Sequence, residues 1–510
     1  MKRSILAFDV GTSSVKAVLV EEDGHIMAST SESYPSYMPH PGWMEQDPED
    51  YWSAACRASK RILIDPSIQP EKIIALIFTT QAMGVIPMDS DGKALHPNIT
   101  WVDGRAEKEA TWFMNRFLGK KIFRSIIGIE ITGKDVLPKL RWLMKERPDI
   151  YNRTAAILDV NGYLKFRATG KMVFEWSGAC SYTFDLKKKD WTRWLFRLIG
   201  FNMNKLPPLV RSTDQVGALK PDAAEHLGLP PGIPVIGGCD DTQSAAIGSG
   251  ATGEGEAHIY LGTSAWIGVM SSRNFSFKNG AVCLQSADPD KNIVVGVTES
   301  AGSNIDWIIQ NFYAQENKNT PDKVYQLANE EAAAVNPGSD NLMITPWLFG
   351  ERCPVGTTTT RGTIFNLTHF HSRAHIVRAM SEGIAYNLRW IIENMRRDFG
   401  FSMKHLRIIG GGTQSDSWLQ IIADVTGCTI EKTSDPRMAG AFGAAICAFV
   451  GMKVFPDFAA AGQIIRSAHI FEPDKRNREI YYLGFSNYKA IYHTNKKLYS
   501  QINLPHHHEL

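Results

Sequence analysis

Short, almost wholly apolar runs alternate along this chain with turns of glycine, serine, threonine and aspartate, and longer segments of helical period lie between them. Residues 5–20, ILAFDVGTSSVKAVLV, set the pattern. The apolar run 5–8 ends in Asp9, a turn of Gly11, Thr12, Ser13 and Ser14 follows, and a second apolar run leads to Glu21-Glu22-Asp23-Gly24. Two strands joined by a tight turn are predicted there, with a second turn after them. Residues 257–272, AHIYLGTSAWIGVMSS, repeat the design around Gly262-Thr263-Ser264. One such hairpin in each half of the chain implies a duplication.

The remaining elements follow from period and punctuation. After the first hairpin a polar loop runs through Pro39, His40, Pro41, Gly42 and Trp43, and Asp47-Pro48 then opens an amphipathic helix over 49–64. Residues 72–78 read as a buried strand entering Thr79-Thr80-Gln81-Ala82-Met83-Gly84, and 138–170 as a helix, a strand and a second helix. Residues 234–250 give a short strand, a Gly-Gly turn, the pair Asp240-Asp241 and a helix of small residues. A glycine turn leads into a helix over 299–313. The longest helix covers 372–398, with Ile376, Met380, Ile384, Leu388 and Ile391 on one stripe. A strand at 406–409 enters Gly410-Gly411-Gly412-Thr413-Gln414-Ser415 before another helix, and the tail beyond 470 is charged and helical.

Composition narrows the class. At 510 residues the chain exceeds what one core organises, so two domains of about 250 residues are expected. Its 55 basic and 53 acidic residues, net +2, give no electrostatic case for nucleic acid or an anionic membrane. Seven scattered cysteines without a Cys-x-x-Cys pair read as reduced thiols of a cytoplasmic protein. No apolar run approaches the ~18 residues that span a bilayer, and the start at Met1-Lys2-Arg3 leads straight into a strand, without a cleavable signal. His506-His507-His508 are assigned no function.

Three stretches carry chemistry. A Gly-Thr-Ser turn aims backbone N–H groups and hydroxyls at one point, which suits a phosphate chain. Asp9 at the strand end can hold Mg2+ through water, since hard cations take oxygen ligands, and Lys16 adds positive charge. In the segment 101–105, WVDGR, the alternation of Trp101, Asp103 and Arg105 puts an aromatic platform, a carboxylate and a guanidinium on one face of an extended segment, as polyol recognition needs. Asp241 at a helix start is a rigid, approachable carboxylate able to take a proton from a hydroxyl, with Asp240 as the second choice. Glu351 and Arg352 are either functional or an ion pair anchoring their loop. Gly248-Ser-Gly250-Ala-Thr-Gly253 matches a dinucleotide fingerprint but follows a helix and precedes a strand, the wrong context, and no P-loop is present.

Taken in order, the two hairpins, GWMEQDPEDYW at 42–52, WVDGR, the 234–250 segment and the 346–354 segment PWLFGERCP resemble the actin-like ATPase superfamily, and within it the FGGY carbohydrate kinases, in particular their xylulokinase-like members. The resemblance implies an α/β fold of two actin-like, ribonuclease H-like domains, 1–247 for sugar and 248–510 for nucleotide, with the catalytic cleft between them. It implies an ATP-dependent kinase using Mg2+. The catalytic base would be Asp241, at the family's spacing from Gly248, and Asp9 and Asp241 would position the metal. The sugar or polyol would meet Gln81, Met83, Trp101, Asp103, Arg105, Asp241 and Thr242. ATP would meet Thr263, Gly302, Trp307, Gly411, Gly412 and Ser415, with Thr12, Ser13, Ser14 and Lys16 closing from the first lobe. A homodimer is left open.

This chain departs from the family pattern in three places. Residues 174–180, FEWSGAC, stand where the family has Thr-Asp-x-Ser-x-Ala-Ser. Thr413 and Gln414 follow the glycines where alanine and a basic residue are usual. Met83 replaces a histidine that meets the sugar, which predicts poor use of D-xylulose and a preference for a related ketose or polyol. An actin-like ATPase without a sugar site and a non-catalytic sugar-binding regulator are the rival readings. The WVDGR segment argues against the first, and the intact Asp9 and Asp241 against the second.

Overall fold

In a computed structural model, residues 2–116, 131–357 and 359–503 are described; His506, His507 and His508 lie outside them. The two predicted hairpins are present. Ser4–Val10 pairs antiparallel with Ser14–Glu21, and Ala257–Leu261 with Ala265–Ser271. Each hairpin is the nucleus of a sheet. In the first half the strand order is Gln215–Ala218, Pro234–Asp240, Ile73–Thr80, Ser4–Val10, Ser14–Glu21, Ile26–Ser33. In the second half it is Val282–Gln285, Asn292–Val297, Ala265–Ser271, Ala257–Leu261, His405–Ile409, Thr429–Thr433, Ser467–Phe471. On one side of each hairpin the neighbours are antiparallel. On the other side the leading strand runs parallel to two more, and the edge strand beyond them is antiparallel. One plan is thus built twice.

The polar loop expected after the first hairpin begins instead with the strand Ile26–Ser33. Its residues, IMASTSES, alternate exposed and half-buried positions, so it is an edge strand whose outward polarity hides its period. The helix expected over 49–64 is Pro48–Ile62, with Asp47 accepting from the Glu49 N–H at 2.9 Å. The long helix is Arg373–Phe399, and the tail helix Arg478–Ile502 packs Tyr481, Phe485 and Tyr488 into the same core. No helix among the described residues is long and apolar enough to cross a membrane.

The halves meet through two small-residue helices, Asp241–Ser249 and Ala439–Gly451. The second belongs to the second half yet lies on the first sheet, its Ala441, Ala444, Ala445, Ala448 and Phe449 packed with Ile5, Ala7, Ile77 and Ile236. In exchange, Ala245 of the first helix packs with Ile409 of the second sheet. Where the helices cross, a Cβ on Gly248 would stand 1.8 Å from the Ala439 carbonyl oxygen, and one on Gly443 would stand 1.9 Å from that of Ser244. Only glycine allows backbones this close. Gly248→Ala and Gly443→Ala are each expected to destabilise the protein by about 1–3 kcal/mol, the usual cost of overpacking a core. Equilibrium urea unfolding checks this, and an unchanged midpoint for both variants would refute the crossing.

Candidate active site

The register brings the carboxyl ends of three parallel strands into one row. Asp9 lies opposite Thr79, and Thr79 opposite Cys239; Val10, Thr80 and Asp240 form the next rank. The groups that follow these strands, Gly11, Gln81 and Asp241, therefore emerge side by side. Ligand sites of open α/β sheets form at such strand ends.

Asp9 faces Lys16 across the first hairpin. Its carboxylate also rests against the start of Ala439–Gly451, where a Cβ on Gly440 would lie 2.6 Å from Asp9 Oδ2. The positive end of that helix dipole thus points at the carboxylate. Burial raises the Asp9 pKa, and the Lys16 charge opposes the shift. Asp241, first residue of its helix, accepts from the Thr242 hydroxyl at 3.2 Å. Burial, and then the nearby Asp9 charge, push Asp241 up to about 6. Two neighbouring buried carboxylates suit a bound cation. Among the described residues no cluster of three or more histidine, cysteine or acidic side chains is poised for a metal. Magnesium does not need one, because it takes one or two carboxylates together with phosphate oxygens.

Asp240 is turned the other way. It is buried, its backbone N–H donates to Ser177 Oγ at 2.9 Å, and its Oδ1 has no partner. Burial first, then the charges of Asp159, Asp241 and Glu175, hold its carboxyl well above the usual range. Glu175 itself caps Trp176–Tyr182 by accepting from Ser177 N at 2.8 Å. That helix is what the variant segment 174–180 builds.

The WVDGR segment is a turn rather than an extended strand, so its three side chains do not share a face. Asp103 and Arg105 turn inward and bond to each other: Oδ1 accepts from Arg105 Nε at 2.9 Å, and Oδ2 accepts from Arg105 Nη2 at 2.7 Å and from the Met44 N–H at 2.6 Å. The Arg105 guanidinium stacks 3.8 Å from the Trp43 ring centre and also reaches Glu45. Trp101 alone stays outside, 39% exposed, and its indole donates to Thr12 Oγ1 at 3.0 Å. Gln81 is buried and donates to Gln46 Oε1 at 2.9 Å, while its own Oε1 lacks a partner. Met83 is left-handed, φ 62°, a costly conformation for a side chain of its kind, and its carbonyl lies 3.5 Å from Lys139 Nζ. Lys139 is buried beneath this loop and donates to the Thr100 carbonyl at 2.7 Å; burial lowers it to about 7.

In the second half the glycine turns close around the hairpin. The Gly302 N–H donates to the Gly262 carbonyl at 2.9 Å, and Thr263 O accepts from Ala301 N at 2.8 Å and Ser303 N at 3.1 Å. A Cβ on Gly410 would stand 2.5 Å from Leu261 O and one on Gly412 2.6 Å from Leu261 Cγ, whereas Gly411 faces open space. Thr263, Gly302, Gly411 and Gly412 thus come together. Ser415 caps Asp416–Thr426, accepting from Trp418 N at 3.3 Å. Trp307 sits more than a turn beyond Gly302 on Gly302–Phe312, its ring against that of Phe312. Glu351 anchors its loop with partners other than Arg352's side chain: it accepts from Glu299 N and Arg352 N, both at 2.9 Å, and from Asn387 Nδ2 at 2.7 Å. Burial pushes its carboxyl up to about 8 despite these donors. Arg352 pairs with Glu299 instead, at 2.9 Å.

Sequence reading passed over Gln46, Gly440, Lys139 and Tyr260. Tyr260 stacks on its cross-strand partner Trp266 at 3.8 Å, and the charges of Asp9 and Asp241 help raise its hydroxyl, so the second hairpin reaches the carboxylate pair. A lone lysine in the apolar stretch 136–144 was the available signal for Lys139, and the all-small start at 439–441 for Gly440.

Residues 4–248 match the N-terminal domain, and residues 257–452 the C-terminal domain, of the FGGY family of carbohydrate kinases. A xylulose kinase from Bacillus subtilis (strain 168) is 31% identical over 497 residues, 97% of each chain. The crystal structure of a ligand-bound xylulose kinase from Lactobacillus acidophilus superposes with a TM-score of 0.88 at 25% identity, covering 98% of this chain and all of that one. That of Plasmodium falciparum glycerol kinase with ADP gives a TM-score of 0.84 at 25% identity, covering 97% and 98%. With two lobes of one plan, a carboxylate pair where they meet and both family domains in order, this chain belongs to the FGGY family of carbohydrate kinases and is a sugar phosphotransferase.

Proposed function

We propose that the protein transfers the γ-phosphate of ATP to a hydroxyl of a ketopentose or a closely related sugar or polyol. The observation that carries this reading is the position of Asp241, beside Asp9 and at the end of the strand row that also presents Gln81. A carboxylate at about 6 is ionised at neutral pH yet basic enough to take the hydroxyl proton. Asp240 is buried and inward, its carboxyl held above the usual range, so it is the support and Asp241 the base.

Asp9 and Asp241 would hold Mg2+, which when bound neutralises charge on the phosphates. Lys16 and the turn residues Thr12, Ser13 and Ser14 would meet the phosphates from the first lobe. Thr263 would meet them from the second, with Gly302, Gly411 and Gly412 forming the adenosine side, Ser415 fixing the helix behind and Trp307 at its edge. The sugar would lie over Trp101, Gln81, Met83 and Thr242, on the scaffold of Asp103 and Arg105. The family domains support a division near 247/248. The free cysteines are consistent with the cytoplasm and the near-neutral charge with no nucleic-acid partner.

A ketopentose is favoured by the relatives named xylulose kinase. Met83 favours a substrate that asks for no donor at that point, since a thioether is only a weak acceptor.

Asp241→Asn is expected to leave nucleotide binding in place and lower kcat by ~10²–10⁴ in a coupled ADP-release assay. Asp240→Asn should keep most turnover; the reverse pattern would exchange their roles. Because the ionised form of Asp241 is the active one, kcat/KM for MgATP should fall with acidification below about pH 6. Asp9 raises that pKa, so Asp9→Asn, read in its residual activity, should move the limb to lower pH; an unmoved limb would mean the two carboxylates do not interact. Histidine tolerates left-handed backbone better than methionine. Met83→His should therefore fold normally and raise kcat/KM for D-xylulose by about 5–100-fold, the worth of one donor to a hydroxyl. High wild-type efficiency on D-xylulose without gain in the variant would refute the role of Met83.

A further inference from the structure

We propose that Trp101 is a positioning residue for the first phosphate-binding turn: its indole N–H sets the direction of the Thr12 hydroxyl, so that a sugar stacked on the indole strengthens nucleotide binding. This rests on the assignment of sugar to Trp101 and phosphate to the turn Gly11 to Ser14.

The chemistry of the pair decides the direction. An indole N–H can only donate, whereas a threonine hydroxyl carries one hydrogen and two lone pairs. At 3.0 Å from Trp101 Nε1, Thr12 Oγ1 acts as the acceptor. Its own hydrogen is then free to point elsewhere, and an anion at the turn is the group that wants it. Without the indole the hydroxyl can rotate and present lone pairs to that anion.

The backbone of the turn does not share this freedom. Gln46 is fully buried and uses all four of its hydrogen-bonding positions. Nε2 donates to Thr12 O and to Ser36 Oγ, both at 2.7 Å; Oε1 accepts from Tyr51 OH at 2.7 Å and from Gln81 Nε2 at 2.9 Å. The Tyr34 hydroxyl donates to Gly11 O. The carbonyls of Gly11 and Thr12 are thus fixed from below, and Oγ1 is the adjustable atom. Trp101, by contrast, is 39% exposed on a turn. A ligand covering its face would restrict the ring and, through one hydrogen bond, the hydroxyl. Occupancy of the sugar side and polarity of the phosphate side are linked by that contact, and linkage works equally in both directions.

Isothermal titration of the intact chain with a magnesium complex of a non-hydrolysable ATP analogue, with and without saturating sugar, tests this. The sugar is whichever of D-xylulose, D-ribulose and glycerol binds the wild type most tightly. In the wild type, sugar should tighten the analogue by at least ~5-fold. Trp101→Phe keeps an aromatic face and loses the N–H; compared at sugar concentrations that saturate each protein, its tightening should drop to about twofold or less. Thr12→Val should lose the tightening as well, and the double variant should lose no more than either single one. Wild-type tightening in Trp101→Phe, or losses that add in the double variant, would overturn the proposal while leaving the kinase reading intact. No binding of any of the three sugars to the wild type would overturn the site assignment and this inference with it.

Discussion

Everything at the cleft depends on how closely two helices can cross. Asp241–Ser249 begins with Asp241, and Ala439–Gly451 begins against Asp9, so their crossing sets where the two carboxylates meet. Gly248 and Gly443 let the backbones touch, and Gly440 makes room for the Asp9 carboxylate itself. Each helix is followed or preceded by strands of its own half but packs on the sheet of the other, as Ala445 on Ile77 and Ala245 on Ile409 illustrate. The crossing thereby fixes where Asp9 and Asp241 stand relative to one another.

The same packing explains how adjacent aspartates differ. Asp240 ends a strand and Asp241 begins a helix, so the chain direction changes between them and their side chains diverge. One enters a layer already holding Asp159, Glu175 and the buried Lys165, where desolvation raises its pKa well above the usual range. The other meets Asp9 at the cleft. Its charge is opposed by burial and by a single neighbour, which leaves it near neutrality rather than suppressed. Identical side chains thus enter different surroundings across the strand-to-helix turn.

The hairpins, the long helix and the strand–Gly-Gly–helix segment were legible because period and punctuation are local properties. The motif order was legible too, and it led to the family that the domain matches show. The edge strand Ile26–Ser33 was not, since none of its residues is buried and polar residues carry no signal of pairing. WVDGR misled for another reason. Alternation says which side chains share a face only if the backbone is extended, and here a turn folds Asp103 and Arg105 under Trp43. Gln46 and Lys139 escaped because their roles are made by distant partners, Thr12 and Gln81 for one, Thr100 and Met83 for the other. Nothing adjacent in the chain announces them.

The two hairpins differ at one rank of residues. In each, the pair one rank before the turn is the one nearest the cleft: Asp9 with Lys16 in the first, Tyr260 with Trp266 in the second. The first pair is charged and lies where metal and phosphate chemistry is proposed. The second is a flat aromatic stack at 3.8 Å and 6°, which holds no charge and instead fills the space against Ala245 and Ala439. A second acid–base pair there would have placed a third carboxylate beside Asp9 and Asp241, and like charges at that range raise one another's pKa further. The stacked rings add no such charge beside Asp9 and Asp241. The repeated scaffold thus presents two Gly-Thr-Ser turns, and the difference at one rank of residues leaves a carboxylate in only the first of these pairs.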